Sequence, residues 1–384
     1  MSNIYKYAFF FLLAAALIFC LYSCAKKPDA GEIRLAEHME KTLNYPPKDE
    51  DFPYSLKGLK DVRITGALTG EYSINKTRSN YGVNGTDIGL VFDRGDEIFF
   101  AFGDTFSKPS FGGDWRSNVL AVSSDRDASD GILFDRMISE KGKRTAKEII
   151  SSLKTDDGEK TTIPTGGFSV GEELYLCYMS VREWGEPGVW SCNYGGIAKS
   201  ADSGDNWEKQ TELQWDGDGK FIQLYPVKYE EYIYFFAVQG GRTGPVSLMR
   251  ARAEDVENRT AYEYLTELPE DGPPVYLKGG EAEKNALTII ESPAGELSVM
   301  YNEYLGEWLI TYLWGEDLIV RSSKALEGPY SEPHYIAKQT DFPGLYCAFM
   351  HPAYTEEGGR FVYFMMSLWD PVYNVVIVKA EMLK

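Results

Sequence analysis

Two aspartates sit in contexts that suit work on a single bond. In Asn84-Gly85-Thr86-Asp87-Ile88-Gly89 a carboxylate opens an apolar run, and in Phe102-Gly103-Asp104-Thr105-Phe106 another closes one. Small neighbours at both places let a ligand approach the backbone closely. Paired carboxylates are what glycoside hydrolysis needs, one protonating the leaving oxygen while the other activates water or attacks carbon. The bland alternative is that each aspartate caps a hairpin turn. Glu303, in Met300-Tyr301-Asn302-Glu303-Tyr304, is the next acidic candidate, and strand alternation could equally turn it to solvent. Glu183, in Val181-Arg182-Glu183-Trp184-Gly185, is weaker. His351, between Met350 and Pro352, could line a central channel, bind a cation there, or satisfy a backbone carbonyl. Trp115, Trp184, Trp190 and Trp314 adjoin loops, where an indole face could stack on sugar or fill core.

The elements around the aspartates read as a hairpin. Residues 89–92 run into the turn Asp93-Arg94-Gly95-Asp96, residues 98–102 run out of it, and residues 119–123 supply a third strand. An antiparallel hairpin sets the start of its first strand beside the end of its second, so Asp87 and Asp104 should share one sheet end. Strand-like runs recur in five groups, at 87–124, 167–207, 221–253, 286–321 and 345–382. Radial repetition of small sheets limits exposed edges, so the expectation is all-β: a five-bladed β-propeller over residues 57–384. Residues 62–68 form a first strand candidate, and residues 145–153 read as a helix inserted between the first two groups. Ser200-Ala201-Asp202-Ser203-Gly204-Asp205-Asn206-Trp207 matches the Asp-box pattern, a hairpin device with structural rather than catalytic content.

Composition agrees with that architecture and narrows the function. The 384 residues include 14% aromatics and 37 glycines, which favour short strands and tight turns. A formal charge of −19 repels polyanions, so nucleic acid is not expected as a partner; neutral glycans, cations and basic partners stay open. Three histidines exclude a His-rich metal site, and HExxH, GxSxG, P-loop and paired CxxC motifs are missing. No metal or cofactor is expected, a structural cation in the central channel being the one alternative, and the protein is expected to be a monomer. Residues 1–23 carry Lys6 ahead of an apolar run, an export signal. The run ends in Leu21-Tyr22-Ser23-Cys24, which resembles a bacterial lipobox, so Cys24 is the expected lipidation site and residues 24–56 the tether of an extracytoplasmic, membrane-anchored lipoprotein. An uncleaved anchor is the alternative. Cys177, Cys192 and Cys347 remain, an odd number that leaves a Cys177–Cys192 bridge open.

The aspartate motifs, with Trp115-Arg116-Ser117-Asn118-Val119-Leu120-Ala121, resemble the family described as domain of unknown function 4185 (DUF4185). Its members are known as endo-D-arabinanases, glycoside hydrolases that cut the D-arabinan of mycobacterial arabinogalactan and lipoarabinomannan. The resemblance extends through Tyr301-Asn302 and Met350-His351-Pro352 and covers residues 60–384. It implies a five-bladed propeller that hydrolyses a polysaccharide, with Asp87 and Asp104 as the catalytic pair. It also implies that Arg116, Asn118 and Asn302 bind sugar hydroxyls or orient the carboxylates; Glu303, His351 and Trp115 complete the expected substrate-binding set. A glycan-binding lipoprotein without turnover is the competing expectation, and lack of a third acidic group in the cleft would favour it.

Overall fold

Short β-branched and aromatic runs punctuated by Gly, Asp, Asn and Pro become strands almost throughout. The computed structural model describes residues 30–47, 53–109 and 111–384. The expected signal segment and Cys24 lie outside the described residues.

Four antiparallel sheets are each folded from one contiguous stretch. Blade 1 comprises Ile88–Arg94, Glu97–Phe102, Val119–Ser123 and Arg136–Met137; blade 2 comprises Thr161–Val170, Glu173–Trp184, Trp190–Ser200 and Glu208–Asp216. Blade 3 starts with Gln223–Tyr229, Tyr232–Val238 and Gly244–Arg252, and is widened by Glu263–Glu267, Val275–Lys278 and Thr288–Ala294. Blade 4 comprises Leu297–Asn302, Glu307–Trp314, Asp317–Ser323 and His334–Ala337. The protein is thus an all-β propeller with four such blades where five were expected. Of the two remaining sheets, one is the two-stranded pair Thr105–Lys108 and Gly112–Arg116, and the other is a composite of both ends of the described chain, in the order Gly58–Ala67, Asn374–Leu383, Phe361–Leu368, Leu345–Phe349. The strand expected near residues 62–68 is therefore its outer edge, paired from Gly58 opposite Leu383 to Ala67 opposite Val376.

First strands of successive sheets touch around the centre, Ile88–Arg94 against Thr161–Val170 and the latter against Gln223–Tyr229. Packing there is close. A Cβ on Gly166 would fall 2.2 Å from the Pro226 side chain, and one on Gly167 2.3 Å from Phe92. Only glycine lets blade 2 sit that near both neighbours. A separate apolar cluster, including Phe168, Tyr175, Trp215, Phe235 and Tyr262, fills the space between blades 2 and 3.

One local expectation resolves differently. Residues 145–153 contain no helix; Ile149 and Ile150 are buried, and their backbone N–H groups donate to the Asn118 side chain at 3.1 and 2.8 Å. Tertiary bonds to the backbone have replaced the helical ones. Within the expected tether, Ala30–Met39 is a helix that buries Leu35 and pairs Arg34 with Asp370 at 2.5 Å. The Asp-box is a hairpin as expected. Asp202 accepts from the Asn206 backbone at 2.8 Å, and the Trp207 indole donates to the Gly204 carbonyl at 2.9 Å. Cys177, Cys192 and Cys347 are buried free thiols.

Candidate active site

The hairpin of blade 1 brings its two aspartates to one end. Ile88 pairs with Phe102, and the Gly103 N–H donates to the Asp87 carbonyl at 3.2 Å. A bulge there, with positive φ at Ile88 (68°) and Gly89 (72°), bends the strand next to Asp87. Buried Thr86 and Thr105 hydroxyls bond each other at 2.6 Å and tie the two aspartate-bearing segments together. Gly103 is required for space: a Cβ there would lie 2.4 Å from Asp87 Oδ1.

The two carboxyls have different supports. The Tyr346 hydroxyl, from the composite sheet, donates to Asp87 Oδ2 at 2.9 Å, whereas Oδ1 is buried without a hydrogen bond of good geometry. Asp104 Oδ1 accepts from the Trp115 indole at 2.8 Å and from the Thr161 hydroxyl of blade 2 at 2.7 Å. Trp115 is itself stacked on Phe106, with ring centroids 6.4 Å apart.

Burial pushes Asp87 up to about 7, helped by the charge of Asp104 and opposed by the hydroxyls of Tyr373 and Tyr346. Burial likewise pushes Asp104 up to about 6, against the Thr161 and Trp115 hydrogen bonds and the nearby Lys154 ammonium. Burial thus favours a proton held on the pair near neutrality.

Both aspartates line a cleft of about 300 Å³ with Glu296, Arg242, Tyr346 and Tyr373. Arg242 grips the buried Glu296 carboxylate with two bonds, Nη2 to Oε1 at 2.8 Å and Nε to Oε2 at 3.0 Å. Its guanidinium also lies 5.1 Å from the Tyr346 ring centre and 5.6 Å from that of Trp190. The hairpin tip from Trp184 to Trp190 forms one wall. Among the described residues no group of three or more His, Cys, Asp or Glu is placed to hold a metal ion.

Of the other expected site residues, Trp115 touches the site through Asp104, while several lie elsewhere. Arg116 is buried and donates to the carbonyls of Ala146 (2.6 Å) and Gly82 (2.7 Å). Asn118 has no exposed surface, and its amide donates to the carbonyls of Ile150 and Thr162, both at 2.9 Å. Both residues pin the irregular segment that follows blade 1. Asn302 closes a turn, donating to Gly359 and accepting from the Leu305 N–H, and Glu303 is exposed on that turn. His351 sits 4.0 Å from Asp93, at the far end of the strand from Asp87, roughly 20 Å away along an extended chain. Burial lowers its pKa to about 4, so it is neutral, and its Nδ1 accepts from the Ala353 N–H at 3.2 Å.

The reading of residues alone missed Glu296, Arg242, Tyr346, Tyr373 and Trp369, all of which line the cleft. Glu296 carried a usable signal: it stands immediately before the first strand of blade 4, as Asp87 does before that of blade 1. Glu303 belongs to the opposite end of that strand.

The family model described as domain of unknown function (DUF4185) matches residues 72–379. The chain belongs to the DUF4185 family. A Bacteroides ovatus protein described as a candidate hydrolase resembles this DUF4185 chain with a TM-score of 0.54 at 14% identity, over 88% of this chain and 96% of its own. An exo-β-1,3-galactanase of Phanerochaete chrysosporium gives 0.49 at 12% identity, over 83% of this chain and 63% of its own. A family 117 glycoside hydrolase of Zobellia galactanivorans gives 0.47 at 12% identity, over 84% and 90%. At such identities the likeness is one of fold, and the first structure carries it. No curated protein matches the sequence.

Proposed function

We propose that this DUF4185 protein is a glycoside hydrolase that cuts within a furanoside polysaccharide of the D-arabinan type. The observation that carries the reading is the carboxyl pair: two aspartates at one hairpin end, in a cleft, with pKa values of about 7 and about 6. A buried carboxyl that keeps its proton near neutrality can donate it to a leaving oxygen, and an ionised partner can activate water or attack carbon. Glu296 supplies the third acidic group whose lack would have favoured a binding protein without turnover. Its bidentate bond to Arg242 fixes its direction.

The proposal extends to the setting. The composite sheet acts as a fifth blade that closes the ring, supported by the contact of Leu345–Phe349 with the first strands of blades 1 and 4. Export and lipidation at Cys24, which would hold the enzyme outside the cytoplasm, rest on the motif at Leu21-Tyr22-Ser23-Cys24, and the enzyme is proposed to be a monomer. The deciding experiment digests a panel of furanose-containing polysaccharides with the chain from residue 25 onward and resolves the products by size. Short oligosaccharides from arabinan, missing with Asp104→Asn, support the proposal; no product from any furanoside polymer overturns it. Loss of fatty-acid labelling in Cys24→Ala tests the anchor.

A further inference from the structure

Beside the acidic cleft lies a second cavity, of about 400 Å³, that the proton chemistry does not use. We infer that it is a sugar-binding subsite for residues of the same glycan chain that extend past Tyr373, an inference that rests on the glycosidase reading above.

Continuity is the first argument. Trp369 and Tyr373 line both spaces, so the cavity adjoins the acidic cleft. Tyr373 spans the boundary: its hydroxyl faces Asp87, and its ring meets Phe111 edge-on at 5.0 Å between centres. The hairpin tip from Trp184 to Trp190 lines the cleft and contributes nothing to the adjoining cavity, so the chain has a wall on one side and a trough on the other.

Surface chemistry is the second argument. Tyr72, Phe111 and Trp369 are 50%, 58% and 59% exposed, and all three line this one cavity. Scattered exposed aromatics need no explanation, but three around one trough form an apolar patch. Arg78, Asn84 and Lys108 line the same space and can bond hydroxyls at the rim. Flat apolar faces alternating with polar donors match a carbohydrate, whose ring faces are C–H and whose edges are hydroxyl. The helix Ala30–Met39 supplies part of the wall through Glu32 and Leu35, and Glu32 accepts from the Tyr72 hydroxyl at 3.1 Å. The helix before the propeller thereby becomes part of the substrate groove, and the preferred substrate is an oligosaccharide longer than the acidic cleft alone can hold.

The test uses the full-length protein and arabinofuranosyl oligosaccharides from the disaccharide to the octasaccharide. Wild type should show kcat/KM rising with chain length. In Phe111→Ala and Tyr72→Ala the ratio of kcat/KM on the octasaccharide to that on the shortest probe cut should fall about tenfold, mainly through KM. A uniform loss at every length, or an unchanged ratio, would overturn the subsite. If wild type cuts none of these probes, the hydrolase reading has failed, and calorimetric binding of the same probes decides the subsite separately. Weaker octasaccharide binding in Phe111→Ala then supports it, and equal binding overturns it.

Discussion

The fold shifts Asp87 toward its protonated form, and that has consequences for stability as well as turnover. Its folded pKa of about 7 stands against an ordinary aspartate value of 3.8. The folded chain therefore binds this proton more tightly than the unfolded chain does. Its contribution is full below about pH 4 and is lost as pH rises through about 7, a loss of up to about 4 kcal/mol. Asp87→Asn removes the charge that is costly to bury, so above pH 7.5 the variant should melt at or above the wild-type temperature, with a flatter profile from pH 4 to 8. A turn-capping aspartate would do the opposite, and a variant that melts well below wild type would return the hairpin to that role. Turnover should fall about 10²- to 10⁴-fold in both Asp87→Asn and Asp104→Asn, since each amide keeps the shape but transfers no proton. Arg242 argues at the same scale. Arg242→Met would strand Glu296 as a buried, unpaired carboxylate, a loss of about 3–5 kcal/mol readable as a lower urea midpoint, while an unchanged midpoint would show that the ion pair is not holding that wall.

The hairpin is the element that assembles the site, and Gly103 is where this can be tested. Its backbone is not in the left-handed region, so the constraint on Gly103→Ala is space. The new Cβ would lie 2.4 Å from Asp87 Oδ1 and 2.9 Å from Ile88 Cγ1. Relief by moving the carboxylate should lower turnover about 100-fold and stability by about 1–3 kcal/mol. Full turnover in this variant would mean that the position of Asp87 does not matter to the reaction. The hairpin was legible in the sequence because its register is set by the tight turn at Gly95-Asp96, which brings the acid before the first strand to the end where the second strand's acid lies. Arg116 and Asn118 were misread for the complementary reason. Polar residues next to a site motif look like ligands, yet these two saturate the carbonyls and amides of a segment 30 or so residues away, which periodicity does not reveal. The expected helix at residues 145–153 failed through that same capture. Glu296, Arg242 and Tyr346 reach the cleft from blade 4, the third blade and the composite sheet, and their meeting is a property of ring closure rather than of any local pattern.

Pairing between distant parts of the chain builds the composite sheet, and the sequence hid it because its strands lie far apart along the described chain. Gly58–Ala67 pairs antiparallel with Asn374–Leu383 and buries Leu59, Val62 and Ile64. Lys60 adds an ion pair to Glu381 at 3.3 Å, but at a partly exposed site that is minor beside the apolar burial. Three buried aliphatic side chains amount to about 1.5–3 kcal/mol each, which together is comparable with the whole stability of an ordinary domain, about 5–15 kcal/mol. Removing this strand would also leave Asn374–Leu383 as an open edge, a template for pairing with another copy. The expectation is therefore asymmetric. A fragment that begins at residue 53 retains the strand and should fold, unfold in one cooperative urea transition and elute as a single species. One that begins at residue 68 should lose most of its stability and self-associate. Equal urea midpoints and equal elution for the two fragments would show that the remaining sheets hold themselves closed. Because Tyr346 reaches Asp87 from the same composite sheet, the shorter fragment should lose activity along with its fold. Adding back a peptide of residues 53–67 should restore both together, whereas recovery of the fold without activity would place the cost at Asp87 rather than in closure.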